Sequence, residues 1–330
     1  MAHAALSVSE SPPPAAGGWV VRPRTAGLLV LGAVIALLPL VMRNNYFYEV
    51  AILVALNAIV CVGLNLLIGY AGQISLGHAG FFALGGYGSA ILSGTHGWPA
   101  WLSLPASTVA VAVLALLVGR PTLRLRGHYL AMATLGLGII VSIVLSTEDK
   151  ITGGPDGMSV PPIVLGGWAV QGEQTWYWIV GATLLLTVWL ALNLIESPAG
   201  RALRALHGSE VAAQTLGIDA ARHKLRVFVI SAVLAAIAGA LMAHYAGFIT
   251  PAKASFMHSV ELVIMVVFGG MASVFGAVVG AAVLTTLPQL LTVLKDYEMM
   301  VFGAVLIATM VFLPQGIVPT LGRWIARGRR

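Results

Sequence analysis

The sequence predicts an all-α, polytopic membrane protein of about ten transmembrane helices, broken in places by glycine-rich segments, with both termini cytoplasmic. Three observations carry this. Apolar residues make up 58% of the 330 positions and charged residues only 9%, against about 25% charged in soluble domains; mean hydropathy is +0.93. The apolar residues form long continuous runs, not the short alternating segments of a membrane β-barrel. The 18 Lys and Arg residues concentrate in the connections that a ten-span topology places inside.

In chain order, residues 1–24 are polar and small, with Pro12, Pro13 and Pro14, and read as a disordered cytoplasmic N-terminus. They lack a basic n-region, so the first apolar run reads as a retained helix and not as a signal peptide. A span needs about 20 apolar residues. Within a transmembrane domain over 25–320 the candidate spans are Thr25–Met42, Val50–Tyr70, His78–Ser93, Trp101–Gly119, His128–Ser146, Trp176–Ile195, Leu225–Phe248, Val260–Met271, Val274–Leu294 and Met299–Leu313. The third and eighth are short and glycine-rich, and read as half-helices or as full crossings. A basic cytoplasmic tail, 321–330, follows.

Ten crossings place fourteen Lys and Arg residues inside and four (Arg43, Lys150, Lys253 and Lys295) outside. Trp98, Trp101, Trp168, Trp176, Tyr177 and Trp178 fall at outer boundaries, where amphipathic rings settle. The formal charge of +6 therefore marks cytoplasmic loops and not a nucleic-acid partner. The single cysteine, Cys61, lies within an apolar run, which excludes a disulfide framework and leaves it a small packing residue.

Two connections are long. The outer one, 147–175, carries Thr152-Gly-Gly-Pro-Asp-Gly157 and reads as a turn-rich cap. The inner one, 196–226, is punctuated for three helices. Ser197 is an N-cap followed by Pro198, Gly208 is a stop, Ser209 caps again with Glu210 at the positive helix end, Gly217 stops, and Asp219 caps a helix that enters the next span. Arg201 and Arg204 lie on the first of these helices, Ala212 and Ala213 on the second. The loop reads equally as a plain connector or as a docking helix with a small-residue surface.

The stretch Gly69–Gly88 sits between apolar runs, yet holds seven glycines in twenty residues. Each costs a helix interior about 1 kcal/mol relative to alanine. Broken backbone at membrane depth is tolerated only where it is buried in protein or lines a wet cavity, so the stretch points to a pathway. A half-helix starting near Ser75 would offer free N–H groups to a carboxylate, with Gly72, Gln73, Ser75, Gly77 and His78 as pathway candidates. Phe268–Gly276 repeats the style of Gly69–Gly77, which adds Gly269 and Gly270. Glu261, the one acid predicted within a span, could meet a substrate ammonium, Lys253 or His258, and reads best as an interfacial, solvated carboxylate. Asn57 and Asn65 read as inter-helix hydrogen-bonding groups, His244 as a satisfied packing histidine, and Gly276 with Gly280 as a close-packing face.

No nucleotide-binding loop, His-Glu-x-x-His motif or Ser/His/Asp arrangement is present in the sequence. Neither a catalytic residue, a metal site nor a cofactor is expected, and any work with ATP would fall to a partner.

The runs Asn65–Phe82, Arg126–Leu135, Thr152–Gly157, Ser197–Leu206, Glu261–Gly270 and Phe312–Ile317 lie in order over nearly the whole chain after residue 25. Together they resemble the LivM-type permeases of branched-chain amino acid ABC importers. The resemblance implies a multi-pass subunit of the bacterial inner membrane. It would pair with a second related permease, two cytoplasmic ABC ATPase subunits and a periplasmic amino-acid-binding protein. It also implies that Glu210–Gly217 is the loop that docks on an ATPase, although Val211 interrupts the strict Glu-Ala-Ala pattern. Other readings are a permease of the same superfamily for urea, amides or another small solute, or an ion-coupled transporter or channel acting alone.

Overall fold

The computed structural model describes residues 23–42, 44–122, 128–165, 168–291, 303, 307 and 316–320. Nine of the ten expected spans appear as helices among them. These are α1 (Pro23–Val41), α2 (Asn45–Asn65), α3 (His78–Gly94), α4 (Ala100–Thr122), α5 (His128–Thr147), α7 (Glu173–Glu196), α10 (Ala220–Ala246), α11 (Phe256–Gly269) and α12 (Val274–Leu291). The tenth, Met299–Leu313, lies outside the described residues except for Gly303 and Ile307, as do residues 1–22 and the tail 321–330. Three short helices complete the set: α6 (Asp149–Thr152), α8 (Pro198–Gly208) and α9 (Glu210–Thr215).

Among the described residues, five helices are long and apolar enough to cross a membrane by length and composition. The expected shortness of the third and eighth is observed: α3 has 17 residues and α11 has 14. At about 1.5 Å per residue they reach about 25 and 21 Å, short of a hydrocarbon core about 30 Å thick. Helix α1 begins two residues ahead of the expected start, with Pro23 in its first position, where the missing N–H is not needed.

Helix α2 is the axis. It is apolar on nearly all sides and buried throughout from Ala58 onward, the mark of a helix with no free face. It packs against α7, α10, α11 and α12, while α10 packs along α3 and α4. Helices α3 and α10 run parallel and very close: a Cβ on Gly85 would stand 2.5 Å from the Ala236 Cα and collide with that residue's carbonyl oxygen. Two buried bonds fix their register, His78 Nε2 to Ser231 Oγ at 2.7 Å and Ser89 Oγ to His244 Nε2 at 2.8 Å. His244 Nδ1 also meets the Pro161 carbonyl at 3.0 Å, so it is the satisfied packing histidine expected.

The outer connection does pack as a cap. Its glycines Gly153, Gly154 and Gly157 all have positive φ, and Thr152 Oγ1 donates to the Leu145 and Glu148 carbonyls. The segment then pairs antiparallel with the residues after α10, Met158 with Ile249 and Ser159 with Phe248. At the opposite, basic end the inner loop folds as its punctuation predicts. Ser197 Oγ accepts from Gly200 N, Ser209 Oγ from Ala212 N, and Asp219 Oδ1 from Arg222 N. Each satisfies an N–H that the first turn would otherwise leave without a partner.

Candidate functional site

The interruption after α2 is built stepwise. The helix widens into one π-turn, Leu66–Tyr70, a form that is frequent at functional sites. The chain then leaves helical geometry until His78. The helix starts at His78, the first residue of the expected third span and three residues past Ser75, with Gly77 as its N-cap. Ser75 does not cap it; its hydroxyl bonds to His78 Nδ1 at 2.9 Å. Three of the nearby N–H groups are not free for a carboxylate. Leu76 N donates to Thr134 Oγ1, Ala79 N to Ser259 Oγ, and Gly80 N to the Gly77 carbonyl. Tertiary hydroxyls from α5 and α11 take donors that local sequence showed as unpaired.

A second interruption lies between α11 and α12. Gly269 closes α11, Gly270 has φ 119°, and Ala272 has φ 59°, the one non-glycine residue with positive φ among those described. Such a conformation costs an alanine about 1–3 kcal/mol unless its surroundings hold it. Here they do. Asn65, fully buried at the end of α2, accepts from Ala272 N at 2.9 Å and donates to the Ser273 carbonyl at 2.6 Å. Tyr70 donates its hydroxyl proton to the Ala272 carbonyl at 2.6 Å.

The two segments that echo each other in sequence thus meet in space. Gly69 leaves room for this: a Cβ there would fall 2.8 Å from the Ala272 Cα. Gly269 lies against Gly276 and Gly280 of α12, the close-packing face expected, and Gly270 lies against Gly316. Asn57 makes the other expected inter-helix bond, to Thr285 Oγ1 at 2.9 Å. Cys61 is buried, with its Sγ 3.7 Å from the Leu262 carbonyl.

The inner loop touches the first break. Gly72 has φ 66°, and a Cβ on it would lie 3.1 Å from Nδ1 of His207 on α8. Helix α8 is tied to α9 and α10 by a small cluster of Leu206, Ala213 and Ala220. A bond of 2.8 Å between Glu210 Oε2 and Lys224 Nζ closes the same junction. This corrects one expectation: Ala213 faces inward at 2% exposure and is not part of a docking surface. The outward face of α9 is Val211, Ala212 and, just beyond it, Leu216 at 80% exposure. Arg201 and Arg204 are exposed on α8, with Arg201 Nη1 donating to the Glu196 carbonyl. Gly217 stops the loop at φ 81°.

Two polar atoms stand out. Gln73 is 4% exposed, and its Oε1 has no hydrogen-bond partner among the described residues. At the far end of α11, His258 Nδ1 lies 3.5 Å from Glu261 Oε2, while His258 Nε2 is buried without a partner. Glu261 is half exposed, as an interfacial carboxylate should be, and its contact is His258 and not Lys253. The sequence separates this pair from the breaks only through the length of α11. The Asn65 clamp carried no local signal beyond an amide in an apolar run.

Comparison with known proteins follows from this geometry. A family model described as "Branched-chain amino acid transport system / permease component" matches residues 28–310. The high-affinity branched-chain amino acid transport system permease proteins LivM of Salmonella typhimurium and Escherichia coli are each 35% identical over 254 residues, 70% of this chain and 60% of theirs. The permease LivH of Salmonella typhimurium is 27% identical over 239 residues, 66% of this chain and 75% of its own. The chain spans about 60% of the length of the two LivM relatives. No solved structure matches it significantly.

Proposed function

Because this chain belongs to the branched-chain amino acid transport permease family, we propose that it is the membrane-spanning subunit of an ATP-driven importer for branched-chain or related apolar amino acids. The protein is a multi-pass membrane protein. In this reading it sits in the bacterial inner membrane beside a second permease of the same kind, the role suggested by its likeness to both LivM and LivH. Two cytoplasmic ATPase subunits drive the pair, and a periplasmic binding protein delivers the substrate.

The observation that carries the proposal is the contact between the inner loop and the first break. An ATPase that grips Val211, Ala212 and Leu216 moves α9. The Leu206–Ala213–Ala220 cluster and the Glu210–Lys224 bond pass that movement to α8. His207 bears on Gly72, a glycine in a conformation that other residues rarely adopt. Asn65 and Tyr70 then oblige the second break to follow. The breaks are the moving wall, and the long helices are the frame.

Gln73 is the group we assign to the substrate. A buried carbonyl oxygen without a partner costs about 1–3 kcal/mol, and such a group is tolerated where a ligand completes it. The ammonium of an amino acid is the donor it lacks. The ion-coupled alternative would want an ionisable pair deep in the membrane. The His258–Glu261 pair instead lies at the start of α11, with Glu261 half exposed.

Purification of the chain from its native membrane in mild detergent tests the partnership. ATPase subunits should co-purify, and Leu216→Glu should release them while the chain stays inserted. A stable, monodisperse chain that carries no ATPase would argue against the proposal.

A further inference from the structure

A pocket of about 570 Å³ opens at the basic end. It lies where the ends of α4 and α7 meet the first turns of α10 and the flank of α8. Leu116, Leu194, Leu203 and Ile230 form apolar walls, and Arg222 and Arg226 stand at its rim. Both arginines are exposed and lie one turn apart on α10, so their guanidinium groups project from the same side.

Their charge is poorly compensated. Arg222 reaches Asp219 only at 3.7 Å, with both side chains more than half exposed, an arrangement worth little in water. Arg226 makes no ion pair among the described residues. Leu116 lies one turn before Arg120 at the end of α4, which places the pocket mouth where the apolar wall gives way to cationic side chains. An apolar groove that runs into the membrane and ends in paired cations has the polarity of a phospholipid. Arginine pairs are well suited to phosphate oxygens. A free phosphate would use the rim and leave the apolar walls uncovered.

We propose that this groove holds an anionic phospholipid, its phosphate between Arg222 and Arg226 and an acyl chain along Leu116, Leu194 and Ile230. The occupant also touches Leu203, so it braces α8 along the same buried face that carries Leu206. This assignment stands apart from the transport reading, since it needs only a membrane with acidic lipid.

Native mass spectrometry of the full chain in mild detergent, with equal amounts of phosphatidylglycerol and phosphatidylethanolamine, tests it. Phosphatidylglycerol should be retained at least about fivefold more, and each of Arg222→Gln and Arg226→Gln should cut its retention about fivefold, the worth of one cation at an acidic lipid surface. Lys150→Gln with Lys253→Gln, twice that loss of charge at the other end, should change nothing. Ile230→Trp, which fills the groove at constant charge, should lower retention of the lipid and gives a reading should the arginine variants not survive purification. Equal retention of the two lipids, retention unchanged by the arginine or tryptophan variants, or displacement of the lipid by millimolar inorganic phosphate would each overturn the proposal.

Discussion

Asn65 holds both sides of the second break with one amide. Its oxygen and nitrogen satisfy Ala272 N and the Ser273 carbonyl, two backbone groups that the end of α11 and the start of α12 leave without helical partners. Asn65→Ala therefore strands both, and should lower the stability of the purified chain by about 1–3 kcal/mol, read as a fall in its thermal melting midpoint. Asn65→Asp keeps the acceptor for Ala272 N and loses the donor for Ser273. Its effect should be a further loss from an uncompensated buried charge, so it should be no milder than alanine. A melting midpoint unchanged in both variants would mean the clamp is not formed. The sequence made Asn65 visible only as a polar residue at depth. Its partners lie 207 and 208 residues away, and nothing local could name them. Gln73 was legible as a pathway candidate by its place in the glycine stretch, and its unpaired oxygen emerged only with the fold. Gln73→Leu removes that oxygen at similar volume. Transport by the assembled complex should fall at least about tenfold while stability holds or rises; full transport would remove Gln73 from the pathway.

Among the elements, the inner loop and the α3–α10 pair answer different questions. The loop's three N-caps were legible in full, because capping is decided within four residues and needs no tertiary contact. Which face of α9 turns inward was not, since it depends on Leu206 and Ala220. The structure therefore separates two substitutions that composition alone would treat alike. Ala213→Trp breaks the cluster beneath the loop and should destabilise the chain, by overpacking, by about 1–3 kcal/mol or more. Leu216→Trp lies on the exposed side and should leave stability within about 0.5 kcal/mol of the parent, with little shift of the melting midpoint, while weakening ATPase retention. Equal melting behaviour of the two variants would contradict the packing. For α3 and α10, Gly85→Leu drives a side chain into the backbone at Ala236. Neither backbone can yield without parting the helices, so the variant should insert poorly or lose its melting transition. The helix start at His78 and not near Ser75 has the same kind of cause: hydroxyls of Thr134 and Ser259, from other helices, satisfy N–H groups that sequence alone assigns to solvent or ligand.

At the scale of the whole molecule, the apolar runs, their lengths and the asymmetry of Lys and Arg were enough to predict a polytopic helical protein and the places of nine of its helices, because bilayer thickness imposes a length that sequence displays directly. The meeting of the two breaks, and the contact of His207 with Gly72, were not displayed, for both are made between segments far apart in the chain. In the proposed function these contacts divide the labour: a frame of long helices, a moving wall of two clamped breaks, and a handle at the basic end. A wall moved from outside has no motor of its own. Leucine uptake into sealed proteoliposomes measures this directly, with the chain alone under a proton or sodium gradient compared with the purified complex supplied with ATP and binding protein. The chain alone should accumulate no leucine, and the complex should accumulate it only while ATP is hydrolysed. Gradient-driven accumulation by the chain alone would contradict the account.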